Sequence, residues 1–239
     1  MESLTRPYPV TPSMVALVTL VPFYIVISEI NRGRALHEPT LVLDRLIPLQ
    51  PAWALVYGCL YLFLILLPVL IVHQQEQIRR TVLAYLTVWI VAYVCFVTYP
   101  TAAPRPIEVV GDGFAVWGLR LLYDADPPRN CFPSLHVAHS FVSALTCYRV
   151  HRRVGLVAIA CASLVAVSTL FTKQHYVLDV IAGALLAGGA GGVFLRQGPR
   201  GAVCERQYHA APALAVGALA IIALGVACFW MAYLLGSAF

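Results

Sequence analysis

AWALVYGCLYLFLILLPVLIV, residues 52–72, is a run of 21 residues without a charged side chain. A helix needs about 20 apolar residues to cross the hydrocarbon core of a bilayer. The stretch therefore predicts a membrane-spanning helix. Six more apolar runs lie at 14–30, 82–99, 133–150, 154–170, 175–195 and 213–235. Those at 133–150, 154–170 and 175–195 are shorter or carry polar residues, so their limits are soft. Composition agrees: 60% of residues are hydrophobic and 11% charged, against roughly 25% charged in a soluble domain. The predicted fold class is an all-α polytopic transmembrane helical bundle of six core helices with a seventh, C-terminal span at 213–235. It forms one integral-membrane domain over 1–239.

The N-terminus lacks the basic region, short apolar stretch and small-residue cleavage site of a secretory signal, so the first span is expected to be retained. There is no internal repeat and no low-complexity tract. The seven cysteines (Cys59, Cys95, Cys131, Cys147, Cys161, Cys204, Cys228) are scattered, mostly inside apolar runs, without a C-x-x-C pair. They read as small packing residues.

Short loops set the orientation. One face carries Arg6, Arg79, Arg80, Arg149, Arg152, Arg153, Arg196, Arg200 and Arg206; the other offsets its bases with Glu38, Asp44, Glu108, Asp112, Asp124 and Asp126. The arginine-rich face is predicted to be cytoplasmic. The net charge of +5 follows from this topology and does not indicate nucleic-acid binding. No basic tract interleaves with aromatics as a nucleic-acid groove would require.

Three polar segments then share the outer face: Tyr99-Pro100-Thr101-Ala102-Ala103-Pro104-Arg105-Pro106, Pro133-Ser134-Leu135-His136 and Lys173-Gln174-His175-Tyr176-Val177-Leu178-Asp179. They contribute two histidines, a carboxylate, an arginine and the only lysine, a set suited to metal-free phosphoryl transfer. His175 and Asp179, four residues apart, fall on one face of a helix. The carboxylate can take a hydrogen bond from one imidazole nitrogen and leave the other as a nucleophile. Pro133 is expected in the first turn of the fourth span, where its missing N–H costs little. That turn's free N–H groups and the Ser134 hydroxyl favour an anion. His136 can serve as general acid; His139 reads as supporting or packing. Arg105, held between prolines, suits bidentate phosphate binding; a pair with Glu108 is the structural alternative. Lys173 reads as a phosphate contact, or else as a lysine anchoring a span end at the headgroups. His175, Asp179, Gly183, Ala187 and Gly191 form a stripe that lets another helix approach closely. Residues 114–123 predict a short interfacial helix with Trp117 and Tyr123 at headgroup depth.

These motifs resemble the type 2 phosphatidic acid phosphatase superfamily, which includes vanadium haloperoxidases and sphingolipid phosphotransferases. Arg105 and Pro106 match the end of its first motif. Pro133, Ser134 and His136 match its second; Ser168, His175 and Asp179 match its third. The first-motif lysine falls at Thr98 and the third-motif arginine at Thr169. Lys173, and less directly Arg129, stand as replacements. The local pattern is similar to a bacterial branch near the inositol phosphorylceramide synthases. The resemblance implies a catalytic core at about 52–195, a phosphohistidine on His175, orientation by Asp179 and protonation of the leaving alcohol by His136. Arg105, Ser134, Lys173 and Arg129 would hold phosphate oxygens.

The leading expectation is a metal- and cofactor-independent phosphatase. It would act on a membrane lipid phosphate or diphosphate at the periplasmic face of a bacterial inner membrane. The alternative is a phosphotransferase moving a phospho-headgroup onto an alcohol. A non-enzymatic lipid carrier is the third, disfavoured because the polar cluster lies at span ends rather than mid-membrane.

Overall fold

The computed structural model describes residues 12–196 and 205–236. Arg6, Arg200 and Cys204 lie outside them. The described residues are helical, without strands: α1 Pro12–Ile30, α2 Val42–Leu46, α3 Trp53–Ile71, α4 Gln75–Thr98, α5 Phe114–Ala125, α6 Leu135–Val150, α7 Arg152–Phe171, α8 Val177–Ala190 and α9 Glu205–Gly236. A π-turn, Gly191–Leu195, extends α8. Each apolar run overlaps one of the long helices, and α4 and α9 begin seven and eight residues before theirs. Among the described residues, five segments are long and apolar enough to cross a membrane: Trp53–Ile71, Gln75–Thr98, Arg152–Phe171, Val177–Leu195 and His209–Gly236.

The helix at the fourth predicted run departs from a simple span. α6 has 16 residues, about 24 Å of rise against about 30 Å of hydrocarbon. Its surroundings explain both its length and its polar content. It packs against α3, α4, α7 and α8, so most of its surface meets protein rather than lipid. His139, Ser140, Ser143 and Thr146 are all buried on it.

One of these polar residues is accounted for by a proline on the neighbouring helix. Pro68 lies inside α3 and has no N–H to give to Leu64 O. Ser143 Oγ of α6 donates to that carbonyl instead. Two buried groups that would otherwise cost free energy thus satisfy each other and join α3 to α6.

Apolar packing fills the remainder. One cluster joins α3, α4, α6, α7 and α9 around Leu64, Leu67, Ile71, Cys147 and Val165. A second joins α1, α4, α6 and α8 around Val88, Phe96, Val142 and Ala187. The α8 stripe behaves as its small residues predict. A Cβ on Gly183 would stand 2.5 Å from Ser134 O, and one on Gly191 2.8 Å from Leu145 Cδ1. The six described cysteines are free thiols.

α5 is amphipathic and buries Val116 and Leu119. Its Phe114 and Trp117 pack against Trp230 and Tyr233 near the end of α9. At the opposite end, Arg80 Nη1 donates to Phe194 O and Arg149 Nη2 to Arg196 O. The predicted arginine-rich loops are therefore neighbours, at the end remote from α5.

Candidate active site

Backbone bonds gather the three polar segments at one end of the bundle. His37 pairs with Thr101, and Ala102 with Arg129, as isolated bridges. Gln50 N–H donates to Phe171 O at 2.9 Å, and Ser134 N–H to Asp179 O at 3.0 Å. The latter bond ties the start of α6 to the first turn of α8.

Both of those starts differ from the sequence expectation. Pro133 is not in the first turn of α6. It follows a cis bond from Phe132, and Ser134 is the N-cap, its oxygen accepting Val137 N–H at 3.3 Å. His175 does not open α8, which begins at Val177. The reason is capping: a side-chain oxygen that satisfies a free first-turn N–H marks where a helix begins. Asp179 Oδ2 accepts Tyr176 N–H at 2.9 Å. Upstream, α7 closes in a tight turn, with Thr169 O accepting from Gln174 N at 2.9 Å and His175 N at 3.3 Å.

The predicted histidine–aspartate pair still forms. Asp179 Oδ2 lies 3.4 Å from His175 Nδ1, a long hydrogen bond, and His175 Nε2 lies 3.1 Å from His136 Nδ1. The partners assign the protons. The carboxylate accepts, so His175 carries its hydrogen on Nδ1 and Nε2 keeps a lone pair. His136 then donates from Nδ1. Asp179, His175 and His136 form one hydrogen-bonded line. Asp179 is fully buried and His175 is 5% exposed. Tyr57 and Tyr61 stand edge-on to His136, with ring centroids at 5.2 and 5.0 Å.

Arg105 reaches this line from the proline-rich loop. Its Nη2 donates to Gln174 Oε1, the neighbour of His175, and Nη1 donates to Tyr123 O at 3.1 Å. The guanidinium lies over the Tyr123 ring at 4.4 Å. Its carboxylate neighbour is Asp126 at 3.9 Å, not Glu108. Two buried donors in this cluster have no partner in the protein: Arg105 Nε and Gln174 Nε2. Buried unpaired donors are costly, and phosphate oxygens would satisfy them.

Tyr123 was expected at headgroup depth. Its hydroxyl instead donates to Thr172 O at 2.6 Å, because the amphipathic α5 turns that face onto the α7–α8 turn. Burial pushes its phenol up to about 12, with Arg105 opposing. Gln174, Tyr123 and Asp126 were all missed. A polar residue directly beside His175 is the one sequence signal for them.

The structure does not bring Lys173 to the histidines. Its Nζ donates to Asp44 O at 2.9 Å and Ile47 O at 2.5 Å. Burial lowers the ammonium from its usual value, with the Asp44 carboxylate acting the other way. Asp44 completes the clip, its Oδ1 accepting Val177 N–H at 2.8 Å and its Oδ2 Leu41 N–H at 2.7 Å. Arg129 is also engaged elsewhere, with Ser28 at 3.3 Å and Glu29 at 3.6 Å on α1. Thr98 is exposed and bonds within α4. Thr169 is fully buried beneath the His175 turn.

Among the described residues, no three His, Cys, Asp or Glu side chains group as a metal site. Residues 34–193 match the model of the PAP2 superfamily. The chain is 24% identical over 119 residues to a PA-phosphatase related-family protein of Dictyostelium discoideum; the match covers 45% of this chain and spans 22% of that protein's length. No solved structure matches.

Proposed function

Because the chain belongs to the PAP2 superfamily, we propose that it is an integral-membrane phosphatase acting on a lipid phosphate or diphosphate. Its crossings are the six core helices α1, α3, α4, α6, α7 and α8, plus α9. The site faces away from the arginine-rich loops, outside the cytoplasm of a bacterial cell. The hydrogen-bonded line from Asp179 through His175 to His136 is the observation that carries this reading.

In the first step, His175 Nε2 attacks phosphorus with its lone pair. The bond from phosphorus to the leaving oxygen breaks, and His136, entering the step as the doubly protonated imidazolium, gives that oxygen its Nδ1 proton and is left a neutral imidazole. Asp179 holds the Nδ1 hydrogen of His175 and stabilises the positive charge on the ring. Arg105 and Gln174 hold the non-bridging oxygens, joined by the helix-start amides and hydroxyl hydrogen of Ser134, so that positioning and fixed charge supply most of the rate. In the second step, His136 takes a proton from water, whose oxygen attacks phosphorus. The phosphorus–nitrogen bond breaks, leaving inorganic phosphate and free His175.

The test is to incubate purified protein with phosphatidate, phosphatidylglycerol phosphate and polyprenyl diphosphate, and to measure released phosphate. Acid-labile, base-stable label on the protein after a rapid quench would identify the phosphohistidine. Phosphate release from none of these lipids would overturn the reading. Phosphate recovered on an added alcohol would redirect it to transfer.

A further inference from the structure

A cavity of about 540 Å³ opens off the histidine line, a volume typical of a small-molecule site. Asp126, Leu135, His136 and Tyr61 line one end, and Val72 and Ile78 the other. Tyr61 lies on α3 and Val72 caps its end eleven residues on, so the cavity runs for about 16 Å along the bundle. Val18, Val21, Ile65 and Val69 line its side and are all at least 44% exposed. The space is thus open laterally between α1 and α3, where lipid would lie. An apolar chain whose phosphate sat at His136 would have its path here.

One feature of the wall does not suit a bare hydrocarbon. His139, one turn below His136 on α6, lines the cavity and is 8% exposed. Its Nδ1 lies 3.2 Å from Tyr61 Oη. Its Nε2 is buried with no partner in the protein. The ring is held between Trp89, stacked at 5.1 Å, and Tyr85, edge-on at 5.5 Å. A fixed buried imidazole with a free nitrogen is costly unless a ligand supplies the partner. Three residues of α6 separate it from His136, a rise of about 4.5 Å. In a glycerolipid or sphingoid phosphate, the first oxygen or nitrogen substituent is two carbons beyond the phosphoester oxygen, a comparable reach. An isoprenoid phosphate has only hydrocarbon there.

We propose that His139 binds the first backbone oxygen of the substrate's lipid portion, an ester carbonyl or a hydroxyl, and so selects oxygenated lipid phosphates over isoprenoid ones. This rests on the lipid phosphatase reading above. If Tyr61 donates to Nδ1, Nε2 bears hydrogen and takes a carbonyl. If Tyr61 accepts, Nε2 takes a hydroxyl.

The experiment measures binding separately from turnover. Full-length protein in mixed micelles is titrated with non-hydrolysable phosphonate analogues of diacylglycerol phosphate, sphingosine phosphate and farnesyl phosphate. His139→Phe keeps the ring packing and removes the nitrogen; His139→Gln restores a polar group. His139→Phe should weaken at least one oxygenated analogue about tenfold, the scale of one buried hydrogen bond. Farnesyl phosphonate should be unchanged, and His139→Gln should recover part of the loss. Loss confined to the diacyl analogue identifies a carbonyl partner; loss confined to the sphingoid analogue, and kept when its C2 amino group is replaced by hydrogen, identifies a hydroxyl. Equal loss for all three, no loss for any, or no binding by the wild type would overturn the proposal. Discriminating binding without phosphate release from any lipid would uphold the subsite and overturn the phosphatase reading instead.

Discussion

Lys173→Ala separates two accounts of the chain's only lysine. The structure gives its ammonium two carbonyl partners, Asp44 O and Ile47 O, on the segment whose Asp44 side chain caps Val177. Charge-assisted hydrogen bonds are worth about 1.5–3 kcal/mol each. Lys173 is half-buried and its freed ammonium would be rehydrated, so the pair together is assigned about 2 kcal/mol. That corresponds to about a 30-fold increase in the opening of the 41–47 clip. Hydrogen exchange at Val177 N–H should accelerate by about that factor, while the inhibition constant of inorganic phosphate stays within about twofold. Lys173→Gly supplies the control. Residue 173 has φ of 53°, which glycine adopts without the penalty of about 1 kcal/mol paid by alanine. It should open the clip less than alanine does. A tenfold weaker phosphate inhibition with unchanged exchange at Val177 would refute the clip and make Lys173 a phosphate contact.

His175→Ala should abolish turnover while the protein still folds, as judged by an unshifted gel-filtration profile in detergent. Gln174→Leu removes one unpartnered donor and takes from Arg105 Nη2 its hydrogen-bond acceptor; phosphate inhibition should weaken about tenfold by steady-state kinetics. Gly183→Ala would drive a methyl onto Ser134 O and should cost about 1–3 kcal/mol by denaturant titration, with loss of kcat as α6 and α8 part. Turnover should survive excess chelator; inactivation reversed by magnesium would contradict the metal-free mechanism.

The long helices were legible because each overlaps a predominantly apolar run, four of which (52–72, 82–99, 154–170 and 213–235) carry no charged side chain. The bounds of α3 fall within a residue of the run at 52–72. The helix starts at the site were not. Hydropathy counts Pro133 and His175 with the apolar residues after them, whereas capping by Ser134 and Asp179 decides where helical bonds begin. The histidine pair was visible because four residues is a local spacing. Arg105 and Gln174 are 69 residues apart, and Lys173 meets Asp44 across 129; no periodicity encodes such meetings. Charge then misled. The lone lysine suggests a phosphate contact, yet the loop carbonyls use its ammonium, while uncharged Gln174 keeps a buried donor without a partner in the protein.

The contact between His136 and His175 has a consequence for the empty protein. In the proposed mechanism the Nε2 lone pair of His175 makes the attack, and here it is already engaged by the hydrogen that His136 would later deliver. On that reading the protein carries its own competitive inhibitor, present at unit stoichiometry and not removable by dilution. Every incoming phosphate must part the rings, at a cost of about 0.5–1.5 kcal/mol, a two- to tenfold discount on its apparent affinity. The same engagement shields the imidazole from adventitious electrophiles between turnovers.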